Sequence, residues 1–531
     1  MMRGVMAAGA PETAAAGAAT LAKGGNAVDA AVAAAFVSFM AEASIVHLGG
    51  SGVAQVFDPR SGQSVVYDFF SAMPGLGRTR PVDKMDFGPV VVDFGPTTQE
   101  FYLGRASMAV PGNIAGLCQM VQDFGRLPLP AILEPAILMA RDGLPVNPFQ
   151  ANLYDLLNPL YIQTEGMRRI FAANGRIIRA GERLYFPDLA ATLTALAEEG
   201  EAYARRGRLA QALLADQERN GGLLTAADLE QYEVRQVAPI RLAYREYEIL
   251  LPPPCSSGGV LTAFTLKVLG ALGTAGYPHG SAGHLCLLYE VMAATTRARP
   301  FWEQAMETLP PDEAVAYFLS DRFVQSYVEE VRVAMAAARR SPSAAEPPGP
   351  ANTSHLSVID EEGLAVSLTT TAGESAGYVV PGTGYIPNNI LGEADLHPQG
   401  FHRRPAGQRI STMMTPAIVL QNRTIRLVVG SGGSIRIRSA ILQTLNNVLD
   451  YGMPLEQAVN APRVHLEGEV LHCEAGYDPQ AVDELEARGY PVNRWDRRSL
   501  YFGGAHSVAR TAGGQLEAAG DDRRGGAVAV A

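Results

Sequence analysis

Lysine is nearly absent from this 531-residue chain: Lys23, Lys84 and Lys267 are all there is among 43 basic side chains, so arginine carries almost all the positive charge. A guanidinium does not give up its proton, which leaves few candidates for Schiff-base or amine-nucleophile chemistry on a lysine. No dense basic run occurs and the formal net charge is −11. A nucleic-acid or anionic-membrane surface is thereby excluded, because both need clustered cations. Cysteine is sparse as well: Cys118, Cys255, Cys286 and Cys473 lie far apart with no C-x-x-C spacing. Zinc-ribbon and thioredoxin-like arrangements fall away, leaving buried free thiols. Long apolar runs are missing too. The stretch from Ala30 to Met40 is short, alanine-rich and bounded by Asp29 and Glu42, which describes a buried helix better than a membrane span. The opening Met-Met-Arg-Gly-Val-Met-Ala-Ala-Gly has no sustained apolar core before Pro11, so no signal peptide and a cytoplasmic location are expected. Gly49-Gly50-Ser51-Gly52 is not followed by Gly-Lys-Ser/Thr and reads as a tight turn, not a phosphate loop. No cofactor and no metal are expected.

What is present is a globular composition, 47% apolar and 18% charged, in a chain too long for one ordinary core. Helices are expected from Pro11 to about Gly24, after Asn26, over 111–145 with Asn113 as cap, over 187–230, from Gly258 on, and over 281–297, 321–338, 436–451 and 480–488. Thr225 to Asp228 has the form of a capping box with Asp for Glu. Strands are expected at Val53–Phe57, Val65–Phe70, Ile240–Tyr244, Tyr247–Leu251, Met414–Leu420 and Ile425–Val429, with more in 503–531. Pro252-Pro253-Pro254-Cys255-Ser256-Ser257-Gly258-Gly259 forbids helix and then permits an abrupt turn into one.

The texture changes at 341–352, where four prolines and no large apolar residue describe an exposed linker. A hairpin then follows from Leu356 through Asp360–Gly363 to Ala365–Thr371. A cut between Asn352 and Thr353 would give Thr353 a free α-amine beside its hydroxyl, the pairing that activates a threonine nucleophile. Without a cut, Thr353 simply opens a strand, as threonine often does.

Thr353-Ser354-His355-Leu356-Ser357-Val358, Asn388-Asn389, Gly430-Ser431-Gly432-Gly433-Ser434 and the Pro252–Gly259 run together resemble the γ-glutamyltranspeptidase (glutathione hydrolase) family of N-terminal-nucleophile hydrolases. Gly24–Ala31 and Asp521–Ala527 fit the family's two ends, so the likeness spans nearly the whole chain in order. It implies an α+β fold, a four-layer αββα sandwich. It also implies a precursor whose 1–352 part, ending in the 341–352 linker, and 353–531 part form one composite unit. The precursor would cut itself before Thr353, and its two fragments would stay together as a heterodimer, with a higher oligomer left open. Thr353 would be the nucleophile, Thr371 its supporting hydroxyl, and the N–H groups of Gly433 and Ser434 the oxyanion donors, Ser434 replacing a family glycine. His355 shares a strand face with Thr353, but the family does not use it as the base, and a packed histidine is expected.

The expected substrate pocket departs from the family. Phe70 stands where an arginine clamps the α-carboxylate of the γ-glutamyl group, and a phenyl ring cannot donate the paired hydrogen bonds. Thr412-Met413 replaces a Ser-Ser pair, Gly373 an asparagine with Glu374 adjacent, Ile390 after Asn389 a glutamine, and Glu393 an amine-binding aspartate. Arg403, Arg404 and Arg409 are candidates to compensate. The resemblance implies an amidohydrolase or acyltransferase that cleaves γ-glutamyl amides such as glutathione through an acyl-Thr353 intermediate, with water or an amine as acceptor. The substitutions favour instead an acylase, or a hydrolase of specialised metabolism, with a non-glutamyl acyl group. An unprocessed, non-catalytic homologue is the third reading.

Overall fold

The computed structural model describes residues 3–79, 82–93, 98–337, 353–397 and 399–531. The expected linker at 341–352, with Asn352 of the expected cut, lies outside the described residues. Thirteen strands build the centre: β1 Gly4–Ala8, β2 Ser51–Asp58, β3 Gln63–Phe69, β4 Arg235–Val237, β5 Ile240–Tyr244, β6 Tyr247–Leu251, β7 Ser354–Asp360, β8 Ala365–Thr371, β9 Ala417–Gln421, β10 Thr424–Val429, β11 Ser507–Arg510, β12 Leu516–Ala519 and β13 Ala527–Val530. They form a seven-stranded sheet ordered β13-β1-β7-β8-β2-β3-β4 and a six-stranded sheet ordered β12-β11-β10-β9-β6-β5. Every pairing within the two sheets is antiparallel.

Side-chain alternation explains the four layers. Val5, Ala7, Ile359 and Ala365 of the first sheet meet Leu250, Ile418, Leu420, Val428 and Val508 of the second in a thin core between them. Their strand neighbours Met6, Ala8, Val358 and Val366 turn outward to helices α1, Pro11–Ala22, and α2, Ala27–Ala41. On the far side Val419, Leu427 and Val429 face helices α3, Ser257–Leu272, α4, Ala282–Thr308, and α5, Arg436–Leu449. Strands apolar on both faces are the pattern of a sheet covered on both sides, and each buried branched side chain contributes about 1.5–3 kcal/mol. All fifteen residues of α2 are buried; its alanines permit the close approach this requires. Asn26 and Asp29 cap it reciprocally, and Thr225 and Asp228 do the same at Ala226–Gln231.

Three expectations are corrected. The 111–145 stretch is two helices, Asn113–Phe124 and Leu129–Asp142, broken before Pro128. Asn113 is not a cap: it is the first helical residue, and its Nδ2 donates to the His47 carbonyl at 3.0 Å. Helix α4 runs past 297 and through Pro300. The buried Trp302 beyond it, whose Nε1 donates to Ser257 Oγ at 3.0 Å, offsets the hydrogen bond the proline removes. A hairpin of Gly88–Asp93 with Thr98–Leu103 and a small sheet at 464–494 were not anticipated. Among the described residues no helix is long and apolar enough to cross a membrane, and no side-chain cluster has the makeup of a metal site.

Candidate active site

Thr353 lies immediately before β7 and is 5% exposed. The register that pairs Ser354 with Thr370 brings Thr371, the last residue of β8, alongside it. Alternation sends Ser354 the other way, toward the helices, where its Oγ donates to Glu42 Oε2 at 2.6 Å; Thr13 Oγ1 donates to the other oxygen at 2.7 Å. His355 returns to the inner face and is fully engaged: Nδ1 is 2.8 Å from Thr369 Oγ1 and Nε2 2.9 Å from Ser357 Oγ. Burial holds its pKa well below the usual value, so this is a packed, neutral histidine, as expected.

Gly430–Ser434 connects β10 to α5. A Cβ on Gly430 would fall 2.3 Å from the His355 ring, and one on Gly432 only 1.9 Å from the Thr353 carbonyl oxygen. Glycine is therefore required for the loop to lie against the strand head. Gly433 and Ser434 both adopt positive φ, +121° and +50°, in the turn that leads into α5. Among the described residues neither N–H is matched with an acceptor. Ser434 Oγ donates to Asp395 Oδ2 at 2.8 Å.

Thr353, Thr371, Phe70, Glu393, Thr412, Met413 and Ser434 all open on one cleft of about 590 Å³. Asn389 and Glu374 stand behind its wall, where Asn389 Oδ1 accepts the Glu374 N–H at 2.8 Å. Burial pushes the Glu393 carboxyl up, while hydrogen bonds with the Glu374 and Asn389 side chains pull the other way. The Pro252–Gly259 run forms another wall: Thr412 N–H donates to Cys255 O and Gly258 N–H to Thr412 O, both at 3.1 Å. A Cβ on Gly258 would sit 2.2 Å from the Met413 carbonyl.

Sequence reasoning left open how Arg409 is held. Its Nε lies 3.3 Å from Asp68 Oδ2 in a buried ion pair, its Nη1 donates to Phe70 O and its Nη2 to Glu233 O at 2.6 Å. The guanidinium also sits 4.8 Å over the Tyr232 ring. The available signal was Asp68 itself, an acid two residues before Phe70.

Glu42 makes the anchoring of Ser354 pH-dependent. Burial raises its carboxyl from 4.5 to about 7 despite the bonds from Ser354 and Thr13. The folded state thus holds this proton more tightly than the unfolded chain. Stability is full below the unfolded value and declines as pH rises toward the folded one, by about 3 kcal/mol in all. Glu42→Gln is expected to flatten that decline in urea denaturation between pH 4.5 and 8; an unchanged slope would assign it to another group.

A buried threonine at the head of a central strand, inside two antiparallel sheets between helical layers, is the hallmark of the N-terminal-nucleophile hydrolases. The chain belongs, within them, to the γ-glutamyltranspeptidase family, which it matches over residues 13–531, and it is an enzyme of that family. It is 33% identical over 521 residues to the acylase ACY 1 proenzyme of Pseudomonas sp. (strain V22), covering 97% of this chain and 91% of that protein. It is 28% identical over 529 residues to the glutathione hydrolase proenzyme of Escherichia coli (strain K12), covering 95% and 87%. The cephalosporin acylase from Bacillus halodurans shares its fold, with a TM-score of 0.84, 24% identity and coverage of 99% of this chain and 96% of that one.

Proposed function

We propose that the chain is a self-processing N-terminal threonine acylase, hydrolysing amides whose acyl group is not γ-glutamyl. The observation that carries the specificity is at Phe70. Its ring stands in the cleft wall with no exposed surface. Arg409, the nearest cation to hand, is already committed to Asp68, Phe70 O and Glu233 O. With Ile390 and Met413 also on the wall, this side of the cleft suits an apolar acyl chain and offers no paired donors for an α-carboxylate.

The chemistry follows from the placement of Thr353. Once Asn352–Thr353 is cut, the free α-amine, which titrates near about 7.7–8.0, takes the hydroxyl proton as Oγ attacks the amide carbonyl. The N–H groups of Gly433 and Ser434 receive the negative charge on the tetrahedral oxygen; losing one such donor costs about 3 kcal/mol. The amine returns the proton to the leaving nitrogen. Water or an acceptor amine then releases the acyl group from Thr353. The same Oγ attacking the Asn352 carbonyl would yield the cut itself, through an ester that water opens.

A second reading, γ-glutamyl hydrolysis, is favoured by the two carboxyl groups of Glu374 and Glu393 beside Asn389, which suit an ammonium, and by the glutathione hydrolase relatives. The two separate on p-nitroanilides. Phenylacetyl p-nitroanilide, which carries no carboxylate, is expected to exceed the γ-glutamyl anilide in kcat/KM by about tenfold or more, the scale of one charged contact. The reverse order would establish the second reading.

A further inference from the structure

Five arginines line the cleft: Arg235, Arg299, Arg403, Arg404 and Arg409. Their situations differ. Arg299 is neutralised by Glu303 at 2.8 Å. Arg409 is held by Asp68 and two carbonyls. Arg235 and Arg403 are exposed and therefore hydrated. Arg404 alone is both half-buried and without an ion pair among the described residues; its one hydrogen bond there, Nη2 to Leu396 O, is long at 3.4 Å. A cation withdrawn from water without a counter-charge is unfavourable, and burial accordingly lowers its pKa, with only the charge of Glu303, already engaged by Arg299, acting against it. A planar five-donor fork in that state matches a ligand that brings the anion with it.

The position of Arg404 in the chain ties it to the reacting centre. It lies on the segment from Glu393 to Met413, which lines the same space as Thr353 at Asp395, Leu396, Pro405 and Thr412 as well as at Arg404 itself. The remaining apolar wall, Phe70, Ile390 and Met413, has no donor for a carboxylate.

We propose that Arg404 receives a carboxylate of the substrate at a position distinct from the one Phe70 has closed. This rests on the amide-hydrolase reading of the same cleft. The carboxylate can be carried by the acyl chain or by the leaving amine, and binding separates those sources without requiring turnover. Three phenyl ketones, one atom shorter than the corresponding anilides and carrying no amide bond, serve as probes for the mature protein: 5-oxo-5-phenylpentanoate, 4-pentanoylbenzoate and uncharged 1-phenylpentan-1-one. Calorimetry is expected to show one carboxylate ligand binding about ten- to a hundredfold more tightly than the uncharged one. The first ketone winning places the carboxylate on the acyl side, the second on the amine side. Arg404→Met is expected to abolish that preference while leaving the uncharged ketone's affinity within about twofold, and Arg404→Lys to restore it in part. The proposal is overturned if neither carboxylate ligand is preferred, or if Arg404→Met weakens all three ligands alike. Failure of the amide-hydrolase reading would show separately, as absent anilide turnover with the carboxylate preference intact.

Discussion

Thr353→Ala is expected to leave one uncut 531-residue chain, where the wild type resolves on a denaturing gel into fragments of 352 and 179 residues. Amide turnover should fall by about 10⁴-fold or more, the scale seen when a nucleophile is removed from a unit that acts together. The loss has two layers. Alanine supplies no oxygen for acyl transfer, and without the cut the backbone nitrogen of residue 353 remains an amide that cannot accept a proton. Intact-mass measurement fixes the site of the cut to one residue. An uncut wild type that nonetheless turned over amides would refute both the processing and the role of the amine. Thr353→Ser, keeping hydroxyl and amine, should retain the cut and part of the activity.

Gly432→Ala is expected to be the most damaging substitution that touches no reacting group. The added methyl would lie 1.9 Å from the Thr353 carbonyl oxygen and 2.9 Å from its carbon, distances at which one side must move. Retreat of the loop is opposed because Gly432 N–H donates to Gly504 O at 3.4 Å and Ser431 Oγ accepts from Gly504 N–H at 3.1 Å. Gly504 in turn has no room, since a Cβ there would meet Arg524 Cδ at 2.6 Å. Displacing Thr353 from the N–H groups of Gly433 and Ser434 by about 1 Å should cost roughly 10²-fold in kcat, with KM nearly unchanged and the cut slowed. Gly88→Ala, at a position with negative φ and open space around it, serves as the neutral control. Wild-type kcat in Gly432→Ala would show that the loop is not held against the nucleophile.

The strands that carry the site were legible because their periodicity is local. Ile240–Tyr244 and Tyr247–Leu251 have the bounds expected of them, and the Leu356–Thr371 hairpin is in place. Inside a doubly covered sheet a strand must be apolar on alternate residues of both faces, and that pattern survives in the sequence whatever the chain does elsewhere. The cleft walls were legible only through the resemblance. Glu42 reaches Ser354 across 312 residues and Arg409 reaches Phe70 O across 339; no spacing rule spans such gaps, because loop direction is fixed by packing. Asn113 misled for a related reason: an asparagine before an apolar run resembles a cap, but the buried His47 carbonyl claims its side chain instead.

The strand order β13-β1-β7-β8-β2-β3-β4 gives a cut at 352–353 a thermodynamic meaning. β1 would belong to the leading fragment, yet both its neighbours, β13 and β7, would belong to the trailing one. The fragments meet again where β8 pairs with β2 and, in the other sheet, where β9 pairs with β6. Neither piece therefore owns a continuous copy of the seven-stranded sheet, and parting them is the same event as unfolding. Processing there would convert folding from a unimolecular into a bimolecular equilibrium: dilution by a factor of ten would remove about 1.4 kcal/mol of stability that an intact precursor keeps. Self-processing there would make assembly of the sheet a one-time act, carried out while both halves are still one chain.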